Sequence, residues 1–391
     1  MKVPYGLNAG KVLCFHRARL EKVISRRTLL ALPFAAACTR PQEGFRGYAF
    51  IANQEGEAVA AVDLGVLAVA RHIPLQGAPS QVIAATERPL VYALTPETGS
   101  VHEIQIDNLR LSRKLTLASQ AITMELSTDE KSLYVLAREP RALVSVALDT
   151  FQVEWKLPLP DEPVGLAVSP DASDGVTAAV SSTRAVHLVD LTARRLSAPL
   201  GQGDYGPIQF LKDGKTLVAA NRGERMLSVY SVAAQRLISH LPVAVRPDQF
   251  CFSRDGGQLF VTGEGMDAVV VAWGLFSTPE VGDTVLAGHA PGAMDVSKDL
   301  LFVASPQSGD VSILSIASRK VIAIVPVGSD PGFIRVTPDD QYALILNRKS
   351  GDIAILSVPA ITKKKNKYKT AALLTVIPVG SRPVSAAVRA V

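Results

Sequence analysis

Cysteine and tryptophan are scarce in this chain, which holds 3 Cys and 2 Trp among 391 residues. So few cysteines exclude a disulfide-built scaffold, and the absence of a Cys-x-x-Cys-His segment excludes covalent attachment of haem. Charged residues make up only 20% of the chain and hydrophobic residues 48%, a composition that excludes long-range disorder. No apolar run after residue 40 approaches the roughly 20 residues of a membrane-spanning helix.

The net positive charge of the chain comes from its first 38 residues. The chain has a net charge of +5 and a pI near 9.0, but residues 1–38 hold seven basic side chains against one acid, Glu21. The remainder is therefore close to neutral, and its one basic run lies within 363–369. Nucleic-acid-binding proteins usually carry a broad basic face. We therefore expect no nucleic-acid partner.

The N-terminal segment has the order of parts found in secretory signals. Arg26 and Arg27 precede a short apolar stretch over 29–37, which is too short for a membrane helix. The paired arginines resemble those of twin-arginine export signals, which are addresses read by a receptor. We therefore predict an export signal over 1–38, followed by a short linker over 39–47.

Cys38 marks the end of this predicted signal. It follows three alanines, Ala35 to Ala37, and the four residues resemble a bacterial lipobox, in which the cysteine is diacylated. Lipoboxes usually carry Leu where this chain has Ala35, so simple cleavage near Ala37 stays open as the alternative. In both cases the protein is expected to be exported, either to the periplasm or onto a membrane, where lipid on Cys38 would hold it facing the periplasm or the exterior.

An acidic residue recurs at nearly constant spacing through the rest of the sequence. The successive spacings are 42, 42, 42, 42, 44 and 40 residues. Each acid lies in a turn between two short apolar segments rich in β-branched residues, and two more such segments complete the unit. Four strands in about 40–45 residues is the period of a propeller blade. The repeated acids are Glu87, Asp129, Asp171, Asp213, Asp255, Asp299 and Asp339.

The first and last segments of the repeat predict a closed ring. Residues 48–75 form three strands with no inner strand before them, whereas 383–391 form an inner strand with no partners after it. Pairing of Val384–Val388 with Tyr48–Ala52 would complete the first blade and remove both exposed sheet edges. We therefore predict an all-β fold with one β-propeller domain over 48–391. Its blades are four-stranded and antiparallel; eight are counted, and seven is the alternative.

Two units of the repeat show its pattern most clearly: Pro326–Asp339 (PVGSDPGFIRVTPD) and Phe302–Val311 (FVASPQSGDV). They resemble the units of the YVTN-repeat β-propellers, a family related to the lactonase-like and cytochrome d1-like propellers. The tetrapeptide that names the family is degraded in this chain, for example to FIAN at Phe50–Asn53. The resemblance implies a propeller over 48–391 and an exported bacterial protein. Seven blades are common in that family, so a count of eight departs from it.

Patterns of metal, cofactor and nucleophile sites are missing from the sequence. No two of the histidines after the signal lie at a metal-ligand spacing, and no Gly-x-Ser-x-Gly nucleophile elbow occurs. The repeated acids would lie on separate blades, too far apart to chelate one ion together. We therefore predict no metal, no cofactor and no catalytic residue. The histidines are His72, His102, His187, His240 and His289.

Charged residues precede the proline in several loops that lead into inner strands. In a propeller such loops converge on the mouth of the central channel. Arg246 and Arg382 occupy the same repeat position on different blades and could hold a carboxylate or phosphate between them. Glu162 and Asp330, at the same position, could bind a cation, act as a base or pair with these arginines. These four residues are the predicted ligand site, and a solvated, mutually neutralising rim is the alternative.

Together these predictions describe an exported, monomeric propeller that acts as a binding or scaffold module. Its partner would be another protein or a small anionic ligand, and lipid on Cys38 would be its contact with a membrane. The alternative function is a lactonase-like hydrolase acting at the channel mouth, which would require an acid, a base and a water or metal position to converge there.

Overall fold

One four-stranded antiparallel sheet, repeated eight times, builds the chain between Gly44 and Val391. The structure is a computed structural model that describes residues 44–170, 177–362 and 372–391. The predicted export signal, with Arg26, Arg27 and Cys38, lies outside the described residues. So do the repeated acid Asp171 and the lysine-rich run.

The strands follow the chain in blade order. Blades 1 to 4 contain β1 (Gly47–Asn53), β2 (Ala58–Asp63), β3 (Ala68–Pro74); β4 (Gln81–Ala84), β5 (Leu90–Thr95), β6 (Ser100–Gln105), β7 (Arg110–Thr116); β8 (Gln120–Leu126), β9 (Ser132–Glu139), β10 (Ala142–Ala147), β11 (Gln152–Pro158); β12 (Pro163–Val168), β13 (Thr177–Ser182), β14 (Ala185–Asp190), β15 (Arg195–Leu196) and β16 (Gly201–Gln202). A 3₁₀ turn, Pro96–Thr98, follows β5, and β15 and β16 together take the outer position of blade 4.

The remaining strands continue this order. Blades 5 to 8 contain β17 (Tyr205–Phe210), β18 (Thr216–Asn221), β19 (Met226–Ser231), β20 (Arg236–Pro242); β21 (Arg246–Phe252), β22 (Gln258–Glu264), β23 (Ala268–Trp273), β24 (Glu280–Leu286); β25 (Met294–Val296), β26 (Leu300–Ser305), β27 (Asp310–Ser315), β28 (Lys320–Pro326); β29 (Pro331–Val336), β30 (Tyr342–Asn347), β31 (Asp352–Ser357) and β32 (Leu373–Pro378). Helix α1 (Val358–Thr362) follows β31, and β33 (Pro383–Ala390) is the last strand.

Each blade runs outward from the centre, and the burial of its strands reflects this. In blades 2 to 8 the first strand is innermost, and in blade 1 this place is taken by β33. Inner strands of neighbouring blades contact one another, as β12 and β17 do. The middle strands are covered on both faces by adjacent blades, so β30 is buried at every position. Outer strands have one wet face, and β11 accordingly alternates between exposed and half-buried residues. In each repeat the continuously apolar segments thus form the middle strands of a blade, and the alternating segment forms its outer strand.

The ring closes as predicted. Strand β33 pairs antiparallel with β1, in a register that sets Ala49 opposite Val388 and Ile51 opposite Ala386. Blade 1 is therefore made from both ends of the propeller, in the order β3-β2-β1-β33. The described residues form eight blades, so the count of eight is confirmed and the alternative of seven is wrong.

The core is divided among the interfaces between blades. Eight clusters of buried apolar side chains fill the described structure, and each joins strands of adjoining blades. Between blades 7 and 8, for example, Phe302 and Ile313 of one blade pack in the same cluster as Ile345 of the next. Because each cluster is local, the repeat spacing is enough to specify where a blade must lie.

The repeated acids lie in the turns between the first and second strands. The Asp255 carboxylate accepts hydrogen bonds from the Gly257 amide at 3.0 Å and the Ser253 hydroxyl at 2.6 Å. These bonds stabilise the charged form, and the hydroxyl of Ser253 is the main reason that the pKa of Asp255 lies below its usual value. The acids therefore serve the turn geometry.

Candidate functional site

The central channel opens at two ends, which carry different residues. We call the end where loops lead into the inner strands the loop face. The other end, where Asp129, Asp213, Asp255 and Asp339 lie in the turns after the inner strands, is the turn face. The four residues predicted as a ligand site, Glu162, Arg246, Asp330 and Arg382, belong to the loop face.

Each of the two predicted arginines forms ion pairs with nearby acids. The Arg246 guanidinium lies 3.5 Å from Glu264, 3.7 Å from Asp248 and 3.9 Å from Asp204. Arg382 lies 3.3 Å from Glu55. Among the described residues no carboxylate is shared by the two, and they belong to blades 6 and 1, so an anion held by both would have to displace separate ion pairs. A joint site for Arg246 and Arg382 stays a prediction.

The two predicted acids form ion pairs with arginines that are not among the four predicted site residues. Glu162 lies 3.6 Å from Arg138. The Asp330 carboxylate accepts two hydrogen bonds from Arg348, one from Nε at 3.2 Å and one from Nη2 at 2.6 Å, which is the bidentate geometry that makes such pairs strong. The sequence carries a signal for Arg348, because it directly follows the last residue of a second strand and therefore lies on the loop face.

Backbone conformation adds a constraint at two of these loops. Asp330 has φ 61° and Arg382 has φ 54°, both in the left-handed region that non-glycine residues rarely adopt. In blade 8 the Arg348 side chain lies so close to Gly332 that a Cβ there would approach its Nε to 2.3 Å. The loop face is thus a rim of ion pairs, of which Arg348–Asp330 is the shortest of those described above.

Another set of residues lies at one repeat position of the inner strands, and four of its eight members are polar or charged. Four residues before each repeated acid, the inner strands carry the side chains that we call the channel register. Because the position is fixed, these side chains lie at one level of the ring. Around the eight blades they are Ile83, Glu125, Ala167, Gln209, Cys251, Asp295 and Arg335, with Ala387 at the matching position of β33.

Asp295 shows how this level is built. Its carboxylate accepts hydrogen bonds from the amides of Val296 at 2.9 Å and of Val336, on the next inner strand, at 2.8 Å. Its other neighbour is the Arg335 guanidinium at 3.9 Å. The Asp295 charge is therefore satisfied mainly by backbone, and no described residue accepts a hydrogen bond from the Arg335 guanidinium. The Arg335 side chain is 46% exposed even though it lies on an inner strand.

Glu125 belongs to the same level on blade 3, three blades from Arg335 around the ring. Burial raises the pKa of the Glu125 carboxyl to about 7, although the positive charge of Arg335 acts in the opposite direction. This electrostatic interaction acts across the channel, since no strand of blade 3 pairs with blade 8. A carboxyl whose pKa is raised this far is a frequent mark of a functional site.

A cleft of about 570 Å³ lies beside this level and opens on the turn face. Inner strands of blades 5 to 8 line it, and exposed amides of Gln209 and Gln249 contribute to its wall together with Asp295 and Arg335. At its mouth, Lys212 is exposed and Arg254 pairs with Asp340 at 2.5 Å. The cleft therefore combines neutral hydrogen-bonding groups with positive charge.

Cys251 also borders the cleft. It is the one free cysteine among the residues that the structure describes, and it is buried. Burial raises the pKa of its thiol well above the usual range, which leaves it in the unreactive protonated form. Cys251 is therefore an inert core thiol.

Metal-ligand clusters and membrane-spanning helices are both absent from the described ranges. Between residues 44 and 391, outside the two undescribed gaps, no group of three or more His, Cys, Asp or Glu side chains is placed to hold a metal ion. Within those same ranges no helix has the length and apolar character required to cross a bilayer.

Comparison with known proteins identifies the fold but no family. No protein-family model and no curated protein matches the chain. Among solved structures it is similar to apo AztD from Citrobacter koseri, with 14% identity, 88% of this chain and 98% of that chain covered, and a TM-score of 0.67. The dihydro-heme d1 dehydrogenase NirN in complex with DHE is similar at 12% identity, 89% and 77% coverage and a TM-score of 0.67. Hydrazine synthase of Kuenenia stuttgartiensis follows at 18% identity, 71% and 95% coverage and a TM-score of 0.55. At these identities the likeness concerns the propeller fold alone.

Proposed function

We propose that this chain is an exported β-propeller binding module that holds a small anionic ligand in the channel cleft, on the guanidinium of Arg335. The observation that carries the proposal is the exposure of that side chain and its lack of a close ion pair with a described residue. It is 46% exposed inside a concave cleft, and among the described residues its one carboxylate neighbour within 4 Å is Asp295, at 3.9 Å. A guanidinium with unused donors in a cleft is suited to a carboxylate or phosphate.

The loop-face arginines are less suited to this role. Arg246 has three carboxylates within 4 Å and Arg382 has one at 3.3 Å. An anion arriving there would compete with acids already in place, whereas Asp295 already accepts two backbone hydrogen bonds. The cleft is therefore a stronger candidate for an anion site than the loop-face arginines predicted from the sequence.

Substitution of Arg335 by alanine should weaken binding of small anions by about 1.5–3 kcal/mol, the scale of a charge-assisted hydrogen bond. Calorimetric titration with acetate, succinate and phosphate would measure the change. Arg246→Ala and Arg382→Ala are matched controls, because each removes one guanidinium from the other end of the channel. Lost binding in these two variants, with Arg335→Ala unaffected, would move the site to the loop face.

Export is the second part of the proposal and has its own test. Conservative replacement of Arg26 and Arg27 by lysine should sharply reduce export through a twin-arginine route while keeping the charge of the signal. Cys38→Ala should release the exported protein from the membrane fraction if lipid on this cysteine anchors it. Fractionation of cells that express each variant measures both outcomes. Unchanged export of the double lysine variant would point to the general secretory route.

A lactonase-like hydrolase is the second candidate function, and Glu125 is the observation that favours it. Its pKa of about 7 would allow the carboxyl to exchange a proton at neutral pH. Hydrolysis of simple lactones that disappears in Glu125→Gln would support this candidate.

A further inference from the structure

The cleft has an aromatic wall next to its positive charge. Phe250 and Phe252 of blade 6 and Phe333 of blade 8 line it, and each of the three is half-buried rather than fully covered by its neighbours. The Arg335 guanidinium carbon lies 5.5 Å from the centre of the Phe333 ring. These two side chains come from the same strand, two residues apart, so the strand itself fixes their relative position.

The polar groups of the cleft lie beside these rings. Gln209 and Gln249 are exposed on their inner strands and present both amide donors and acceptors. Positive charge is found at Arg335 and at the mouth, where Lys212 is exposed. The acid in the wall, Asp295, has both oxygens engaged by backbone amides. An anionic group is therefore favoured at one side of the cleft and apolar contact at the other.

We infer that the ligand of this cleft is a carboxylate carried on an aromatic ring, with the carboxylate on Arg335 and the ring against Phe333. This inference rests on the proposed function and makes its ligand class specific. A planar guanidinium matches a carboxylate with two parallel hydrogen bonds. Apolar area that is still open to water on Phe333 and Phe250 would be covered by a ring but not by acetate or phosphate.

The volume of the cleft agrees with a ligand of this class. At about 570 Å³ it lies within the range of small-molecule sites in proteins. An acetate ion would leave most of it filled with water. A fused two-ring carboxylate on Arg335 would fill more of this volume with its rings beside Phe333, and the amides of Gln209 and Gln249 could bind its polar substituents.

The test is a calorimetric comparison of four probes on the full propeller: acetate, benzoate, 2-naphthoate and the neutral amide 2-naphthamide. We expect affinity to rise from acetate to 2-naphthoate by about tenfold or more, because apolar surface is buried. The neutral amide should bind at least about tenfold more weakly than 2-naphthoate, because it lacks the charge that Arg335 recognises.

Two variants separate the contributions. Phe333→Leu should reduce the affinity for 2-naphthoate by about tenfold and leave that for acetate unchanged, whereas Arg335→Gln should reduce binding of both. Trp155→Leu, on the outer strand of blade 3, is the control for loss of an aromatic ring outside the cleft. Thermal unfolding of each variant shows whether it is folded at the titration temperature.

The possible results distinguish this inference from the proposed function. Anions that bind through Arg335 with equal affinity, whether or not they carry a ring, would overturn the aromatic ligand class and leave the anion site standing. Absence of any binding that depends on Arg335 would overturn both. An aromatic preference that survives Phe333→Leu and Phe250→Leu would place the ring elsewhere and also refute the inference.

Discussion

Deletion of Pro383–Val391 should abolish cooperative folding of the propeller. Strand β33 pairs with all seven residues of β1, and Ala386 in it is 1% exposed. Its loss would open the inner edge of β1 and strip the inner strand from blade 1. Domains of this kind are stable by only about 5–15 kcal/mol, so removal of a central buried strand should exceed the available stability. Circular dichroism and urea unfolding would measure it.

Two variants make this prediction specific. Removal of Val391 alone, which is 76% exposed, should have little effect. A circular permutant that starts at Ser381 and joins Val391 through a short linker to Gly44 should recover a cooperative transition, because the Val391 amide lies 3.3 Å from the carbonyl oxygen of Arg46. A truncated chain as stable as the full one would contradict the role of β33 as the closing strand.

Replacement of Glu125 by glutamine should stabilise the protein at alkaline pH. In the folded state burial raises the pKa of Glu125 to about 7, from an ordinary value of 4.5. The native state therefore favours the protonated carboxyl. The contribution of Glu125 to stability is fully present below pH 4.5 and is lost as the pH rises through 7. The shift corresponds to at most about 3 kcal/mol, and partial exposure to the channel reduces it.

We therefore expect Glu125→Gln to raise the free energy of unfolding by about 1–3 kcal/mol at pH 8 and to change it little at pH 4. Urea unfolding at several pH values would measure the difference between the variant and the unmodified protein. Glu162→Gln, on the exposed loop face, controls for the removal of one negative charge. A difference between the two proteins that is the same at pH 4 and pH 8 would refute the raised pKa.

The expected stabilisation by Glu125→Gln bears on the proposed site. Functional side chains are commonly retained at a cost in stability. In this channel Glu125 lies across from Arg335, at the level of the proposed ligand. Its protonated form would donate a hydrogen bond to an anion, and its ionised form would repel one.

The architecture could be predicted from the sequence because a blade is specified locally. The spacing of the acids from Asp129 to Asp255 is constant, and each lies between two buried strands, so periodicity alone predicts where every blade begins. Ring closure followed from the unpaired segments at the two ends. Both are properties of chain order, which a sequence records directly.

The candidate site was harder to predict from the sequence, although the repeat did indicate which residues share one position on the inner strands. Glu125, Asp295 and Arg335 each lie four residues before a repeated acid, so the repeat that locates the turns also locates the channel register. The repeat did not show which charged side chains form ion pairs with one another. Arg348 rather than Arg382 pairs with Asp330, and this depends on side-chain directions within one blade. The raised pKa of Glu125 depends on burial by strands distant in sequence.

The pairing of the first strand with the last also fixes the order of events during synthesis. Strand β1 leaves the ribosome early, but its partner β33 is made roughly 330 residues later, which takes about 15–70 s at ordinary rates of translation. Blades 2 to 8 can each be completed from consecutive chain as they emerge. For all that time β1 has an open edge next to Phe50 and Ile51, both of them apolar and destined for burial. Among the strands of the ring, β1 is thus the one most exposed to mispairing, and the nascent chain must keep it from other partners until β33 arrives.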